Sequence, residues 1–216
     1  MVSSQPPSLE RVKRKPGRPS LQSSSAPDAK YLIVEAAAKV YADHGYHDCS
    51  VAMILEESGV SRPTFYRYFK SRHEVISAVI KTINNKLINK ILDYVSDSHD
   101  MLEVFDKGVD AYFDWAGEMG KISGSIFHEI HDVQSPASTH RTLIMNEIAK
   151  MAQQSRRLSG QSFNLIVLDA LLHVVEHLGH QAFWPNKKNE VQIAELKLAV
   201  KTITHSTLSQ LRVKTN

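Results

Sequence analysis

The sequence predicts an all-α fold, and three observations point to it. Apolar residues recur every three or four positions over most of the chain, as in Val75, Val79, Ile83, Leu87, Ile91 and Val95, which puts them on one face of a helix. No stretch shows the alternation of apolar and polar residues that a half-buried strand needs. The strongest breaks fall at Gly45, Gly59 and Gly120 and in QSP, LSG and WPNKKN, dividing the chain into about nine helical segments.

Each segment has its own local justification. Asp28 is the expected N-cap of the first helix, Ile33, Ala36, Ala37, Val40 and Tyr41 are its inner face, and Gly45 is its stop. Ser50 caps a second helix with Val51, Ile54 and Leu55 on one side. Gly59 and Val60 turn the chain, Ser61 caps a third helix, and Pro63 stands in its first turn, where a missing N–H costs little. Two short helices joined by a glycine turn form the pattern of a helix-turn-helix. After Phe69 a long amphipathic helix runs to about residue 95 with no internal glycine or proline. Further helices are expected over about 101–119, 122–132, 137–158 (after Pro136), 162–180 and 190–211.

Composition narrows the function. A chain of 216 residues, 42% hydrophobic and 23% charged, makes one large domain or two small ones. No window approaches the roughly 18 apolar residues of a membrane span, and no apolar stretch follows the N-terminal cations, so a soluble, cytoplasmic protein without a secretory leader or membrane partner is expected. Cys49 stands alone, which excludes an internal disulfide and a cysteine-based zinc cluster. There is no G-x-S-x-G, no glycine-rich phosphate loop and no evident pair of carboxylates, so neither catalytic residues nor a cofactor are expected. The net charge of +3 is modest, but Arg11, Lys13, Arg14, Lys15 and Arg18 face only Glu10 before residue 28. A basic block of that kind meets polyanions.

The third helix offers a surface for one. Phe65 and Phe69, four apart, point inward together, which turns Pro63, Thr64 and Arg67 outward and sets Arg62, Tyr66 and Tyr68 on the flanks. Arg62 suits a guanine edge, while the tyrosine hydroxyls and Thr64 suit phosphates or a thymine methyl. Ser50, Ser61 and Arg72 join the candidate set at the starts of the second, third and fourth helices, where backbone N–H groups also face phosphates. The stretch IVEAAAKVYADHGYHDCSVAMILEESGVSRPTFYRYFKSRHEV, residues 33–75, resembles the DNA-binding domain of the tetracycline-repressor (TetR) family. The likeness runs through Ala36, Ala37, Tyr41, Gly45-Tyr46, Ser50-Val51, Ile54, Gly59-Val60-Ser61, Thr64, Tyr66, Phe69 and Arg72, and departs from the usual pattern at Leu55, Ser58, Val75 and in having arginine at 72.

The resemblance implies a homodimeric transcriptional regulator, a repressor, on a palindromic double-stranded DNA operator. It implies three parts: a disordered basic arm over 1–27, a helix-turn-helix DNA-binding domain over 28–72, and a helical effector-binding and dimerisation domain over 73–216. The family dimerises through its last two helices and encloses a small-molecule pocket. Here residues 162–180 are apolar over about two-thirds of the circumference, with Asp169, Glu176 and His180 as the polar edge, so two buried sides are expected. The last helix sets Ile193, Leu196, Val200, Ile203 and Thr207 in one stripe, suited to a four-helix interface with a second copy.

Phe105, Tyr112, Trp115 and Phe127, with His128, His131, His173 and His177, are the candidate effector-pocket residues. The histidines also raise an alternative, a metal-responsive regulator or zinc-dependent protein. His173, His177 and His180 share a helix face, HVVEH matches the H-x-x-E-H string of a zinc-protease family, and His128 and His131 are three apart. In the N-terminal segment, PGRP resembles the core of an AT-hook, an extended element that lies in the minor groove with Arg18 at its centre; Pro16 departs from the arginine of the full hook.

Overall fold

The structure is a computed structural model and describes residues 28–98, 100–159 and 165–213, with side chains described except at 152–159 and 211–213. Among the described residues there are nine α-helices and no strand: α1 (Ala29–Asp48), α2 (Val51–Ser58), α3 (Arg62–Tyr68), α4 (Arg72–Val95), α5 (Met101–Met119), α6 (Lys121–Glu129), α7 (Pro136–Ser159), α8 (Leu165–Phe183) and α9 (Glu190–Val213). The expected arm over 1–27, and Arg18 with it, lies outside the described residues. No helix among them is long and apolar enough to cross a membrane.

The helices start where the caps are. Asp28 accepts from the Lys30 N–H at 3.1 Å, Ser50 from Met53 at 3.2 Å, Ser61 from Thr64 at 3.4 Å, Ser71 from Glu74 at 3.2 Å and Asp100 from Glu103 at 3.0 Å. Gly59 closes α2 in the left-handed region at φ 64°, a conformation that costs a residue with a Cβ about 1–2 kcal/mol. Gly45, at φ 71°, breaks the helical path of α1, but a last turn continues to Asp48, past the expected stop. The break releases the Tyr46 N–H, which donates to Glu129 Oε1 at 2.7 Å.

The core of the first three helices is built on Ile33, Tyr41, Ile54 and Phe65, all fully buried. The first half of α4 is buried on two faces: Ile76 and Ile80 are enclosed as fully as Val75 and Val79. The apolar core therefore runs without a break from Ile33 on α1 to Ile144 on α7. A second, smaller cluster joins Val109 and Phe113 of α5, Val175 and Ala182 of α8, and Val200 of α9.

The expected stripe on α9 is only partly outward. Val200 is fully buried, and Ile193 and Leu196 pack on the second cluster, because α9 lies along α5 of its own chain. Ion pairs fix that register: Lys201 with Asp110 at 2.7 Å, His205 with Asp106 at 2.8 Å and Lys197 with Asp114 at 3.3 Å. Among the described residues, the large apolar side chains that α8 and α9 leave exposed are Leu165, Ile166, Val191, Leu198 and Ile203.

Candidate functional site

Helix α3 presents its outer face as its spacing predicts. Phe65 and Phe69 are buried with ring centroids 6.0 Å apart, while Arg62, Pro63, Tyr66 and Arg67 are exposed and Thr64 and Tyr68 half-buried. Ser61 closes the helix start by two bonds, accepting from the Thr64 N–H and sharing a 2.8 Å hydrogen bond with the Thr64 hydroxyl. The Arg67 guanidinium lies over the Tyr68 ring at 5.0 Å and donates to its hydroxyl, so these two side chains hold each other in place. Ser50 is half-buried and its hydroxyl is the α2 cap.

Arg72 is placed differently from expectation. Its guanidinium donates to the carbonyls of His47 and Cys49, both at 2.8 Å, and lies 4.3 Å over the Tyr46 ring. Expected at a phosphate, it instead ties the end of α1 to the start of α4, because the last carbonyls of a helix and its C-cap lack helical partners. Burial pushes the Cys49 thiol beside it up to about 11, which keeps that thiol protonated.

Helix α6 joins the first helices to the rest of the chain. Glu129 accepts three hydrogen bonds, from the Tyr41 hydroxyl at 2.9 Å, the Tyr46 N–H at 2.7 Å and the Ser135 hydroxyl at 2.7 Å. Burial and the Glu129 carboxylate together hold the Tyr41 phenol well above its ordinary range. Outside this node, Ser125 donates to the Ala42 carbonyl and His47 pairs with Asp132 at 2.5 Å.

The same helix walls a cavity. It measures about 410 Å3 and lies between α4, α5, α6, α7 and α8. Phe105, Tyr112, Trp115 and Phe127 line it, as do the aliphatic side chains of Leu87, Ile91, Ile144 and Met145. Arg141 and Glu176 are the charged residues of the lining. They form a salt bridge at 2.9 Å with 15% and 13% of their side chains exposed, and the Arg141 Nε–H is buried with no acceptor. Ser98 Oγ, at the far end near the turn into α5, is likewise without a partner. Glu176, expected on an outer polar edge of α8, is thus an inner residue. No sequence pattern flags Arg141, since its partner lies 35 positions away.

His128, His131, His173 and His177 do not line the cavity, which corrects the expectation for them. They sit in the seam of α6, α7 and α8 instead, packed ring to ring. His180 stacks on Phe127 with centroids 4.0 Å apart and meets His128 edge-on at 4.9 Å; His131 stacks on His173 at 6.4 Å. The His173 ring nitrogens lie beside Arg141 and the Asp169 carbonyl, and His177 bonds Gln181. Among the described residues no three histidine, cysteine, aspartate or glutamate side chains are grouped so as to hold a metal, so the metal-responsive and zinc-dependent alternatives lose their donor set.

Burial first, then the charges of His128 and His177, push the His180 imidazole down to about 4. Burial lowers His140 too. The unfolded chain takes up these protons first as pH falls below about 6.5, so stability present above that value is lost between about pH 6.5 and 4. The melting temperature is expected to drop over this window, and less steeply in His180→Phe, which keeps the stack. Equal slopes in thermal melts would remove His180 as a source.

The site is thus an exposed donor-rich helix in a helix-turn-helix, joined through α6 to a helical body that encloses a cavity. Residues 33–79 match the family model described as bacterial regulatory proteins, tetR family, so this stretch carries the sequence pattern of that family's DNA-binding domain. Over 83 residues it is 29% identical to the HTH-type transcriptional activator FasR of Mycolicibacterium smegmatis, covering 38% of each chain. Over 69 residues it is 30% identical to the fatty acid metabolism regulator protein of Bacillus subtilis, covering 32% of this chain and 36% of that one. The chain thus spans well under half the length of these curated relatives. The fold extends further: the fatty acid degradation regulator FadR of Bacillus halodurans superposes with a TM-score of 0.67 at 18% identity, over 80% of this chain and 96% of that one.

Proposed function

We propose that this protein is a cytoplasmic transcriptional regulator, not an enzyme, that binds a palindromic operator as a homodimer and releases it when a small molecule enters the cavity. The observation that carries the reading is the α3 face, where Arg62, Tyr66 and Arg67 stand exposed beside Thr64 on a helix anchored by two buried phenylalanines. Ser50 and Ser61 add hydroxyls at the same surface, and Pro63 and Tyr68 shape its ends. Residues 28–72 then form the DNA-binding domain and 73–216 the effector and dimerisation domain. The basic arm, with Arg18 in the minor groove, flanks the operator.

Two copies pair through α8 and α9 in this reading, covering Leu165, Ile166, Val191, Leu198 and Ile203. The Bacillus subtilis relative is a fatty acid metabolism regulator protein and the Bacillus halodurans FadR a fatty acid degradation regulator, and the aliphatic lining of the cavity here supports an apolar effector.

Footprinting tests the whole reading on fragments that the full chain selects from sheared DNA of its host. A single short protected palindrome is expected, with loss of protection in Leu198→Glu, which turns the dimer to monomer in size-exclusion chromatography. Diffuse protection would mark a nonspecific DNA-coating protein, and a dimer unchanged by Leu198→Glu would exclude the α8–α9 interface.

A further inference from the structure

Helix α6 is gripped on two sides. Toward α1, Glu129 accepts from the Tyr41 hydroxyl and the Tyr46 N–H, and Ser125 donates to the Ala42 carbonyl. Toward α8 the grip is aromatic. The His180 ring lies on Phe127 with centroids 4.0 Å and planes 12° apart, and nearly parallel to Trp184 at 6.4 Å. His128 meets His180 edge-on at 4.9 Å and Trp184 at 6.0 Å. Trp184 in turn rests against the α6 backbone at Gly124, where a Cβ would come within 2.5 Å of the indole. Beside the long span of α4, then, α6 is a bridge from the helix-turn-helix to α8.

The α8 side of that bridge has no acid to meet a proton. The titratable groups that face His180 are His128 of α6 and His177 of its own helix. Charged groups on the other packed helices are already committed: Arg141 of α7 to Glu176 and His173, and Lys197 of α9 to Asp110 and Asp114 of α5. Glu129 of α6 is turned to α1. The Tyr112 phenol of α5, which lies against Gly179, is kept protonated by burial. A proton on His180 is therefore best hydrated with α6 and α8 apart. With the seam closed, burial first and then the two neighbouring imidazoles hold His180 at about 4. With it open, the ring titrates near its ordinary value of about 6.5. The open form takes up the proton first as pH falls, and at pH 5.0 it is favoured about 30-fold more than at pH 7.5.

Resting on the reading of the protein as an operator-binding dimer, we propose that His128, His177 and His180 form an acid-sensitive clamp: in mildly acidic solution α6 parts from α8, and the operator is released with no small molecule in the cavity. Two recognition helices must meet successive major grooves about 34 Å apart, and a helix-turn-helix freed from α8 no longer holds that spacing. Both copies must be closed on one operator, so the opening counts twice.

Hydrogen exchange and operator binding of the full chain, each at pH 7.5 and pH 5.0 and at constant ionic strength, test this. Helix α6 spans nine residues, too few to keep its hydrogen bonds once unpacked. After correction for the intrinsic pH dependence of exchange, its amides are expected to lose about 30-fold in protection while those of α4 keep theirs. Affinity for fragments selected at pH 7.5 should fall about tenfold, with dimer and helix content intact. His180→Phe keeps the stack without a titrating group, and both effects are expected to shrink below about threefold. His128→Asp keeps His180 but sets a carboxylate beside it. The closed seam then accepts the proton, and the acid response should shrink likewise. Charges gained elsewhere in acid act on all three proteins alike.

Equal responses in the parent and His180→Phe would overturn the proposal. So would an acid gain in operator affinity larger in the parent than in His180→Phe, the result if the Phe127 and Trp184 faces hold the cation. Loss of helix content at pH 5.0 would also overturn it, since the whole fold rather than the seam would then open. Should His180→Phe not fold, His128→Asp decides alone, and an undiminished acid response in it overturns the clamp. The exchange measurement contains no DNA. A failed footprint therefore leaves it standing, and an unchanged α6 with an intact palindrome footprint removes only the clamp.

Discussion

Replacing Glu129 with alanine is expected to lower the melting temperature by about 10 °C, for a loss of about 3–4 kcal/mol in a chain of this size. Three donors converge on this carboxylate: the Tyr41 and Ser135 hydroxyls and the Tyr46 N–H. Tyr41 is fully buried and Ser135 nearly so, and neither water nor a neighbouring helix replaces the lost acceptor cheaply. Glu129→Gln is expected to fall between, because its amide oxygen still takes the Tyr46 N–H but its nitrogen cannot accept from a hydroxyl. Gly45 belongs to the same node: a Cβ there would come within 3.0 Å of Glu129 Oε1 on a backbone at φ 71°. A Glu129→Ala protein melting within 2–3 °C of the parent, by circular dichroism at pH 7.5, would show that this junction contributes about 1 kcal/mol or less.

Tyr66→Ala is expected to weaken operator binding roughly 100-fold while leaving melting temperature and dimer unchanged. One side chain contacting DNA is worth about 1–2 kcal/mol, and a symmetric dimer loses it in both half-sites. Tyr66 is 47% exposed and meets the buried Phe65 ring edge-on, so its removal leaves the core packing of Phe65 and Phe69 in place. Arg72→Ala is the instructive contrast. Its guanidinium is spent on two carbonyls and the Tyr46 ring, so it should lower stability first and DNA affinity only as a consequence. A gel shift in which Tyr66→Ala binds like the parent would remove α3 as the recognition helix.

The parts of this molecule that depend on near neighbours in the chain were legible before any tertiary structure. Asp28, Ser50 and Ser61 cap helices through contacts two or three residues away, and Phe65 with Phe69 orients α3 through a spacing of four. The recognition face follows directly from that orientation. The cavity aromatics Phe105, Tyr112, Trp115 and Phe127 were legible only as aromatic mass on helices. The four histidines placed with them were misread, because helical spacing says which residues share a face and not which neighbour that face meets. Likewise α9 carries apolar residues on more than one side, and only the ion pairs with α5 decide that Val200 goes in while Leu198 stays out.

Sequence by itself determined the all-α class, the helix-turn-helix, its caps and the outward set on α3, since hydrogen bonds and side-chain periodicity over one or two turns suffice for those. Tertiary structure alone decided the functions of Glu129, Arg72, Arg141 and Glu176. Glu129 and Tyr41 are 88 positions apart, Arg141 and Glu176 35 apart. A charged residue's role depends on which partner the packing of helices brings within about 3 Å of it, and no local pattern in the chain encodes that distance.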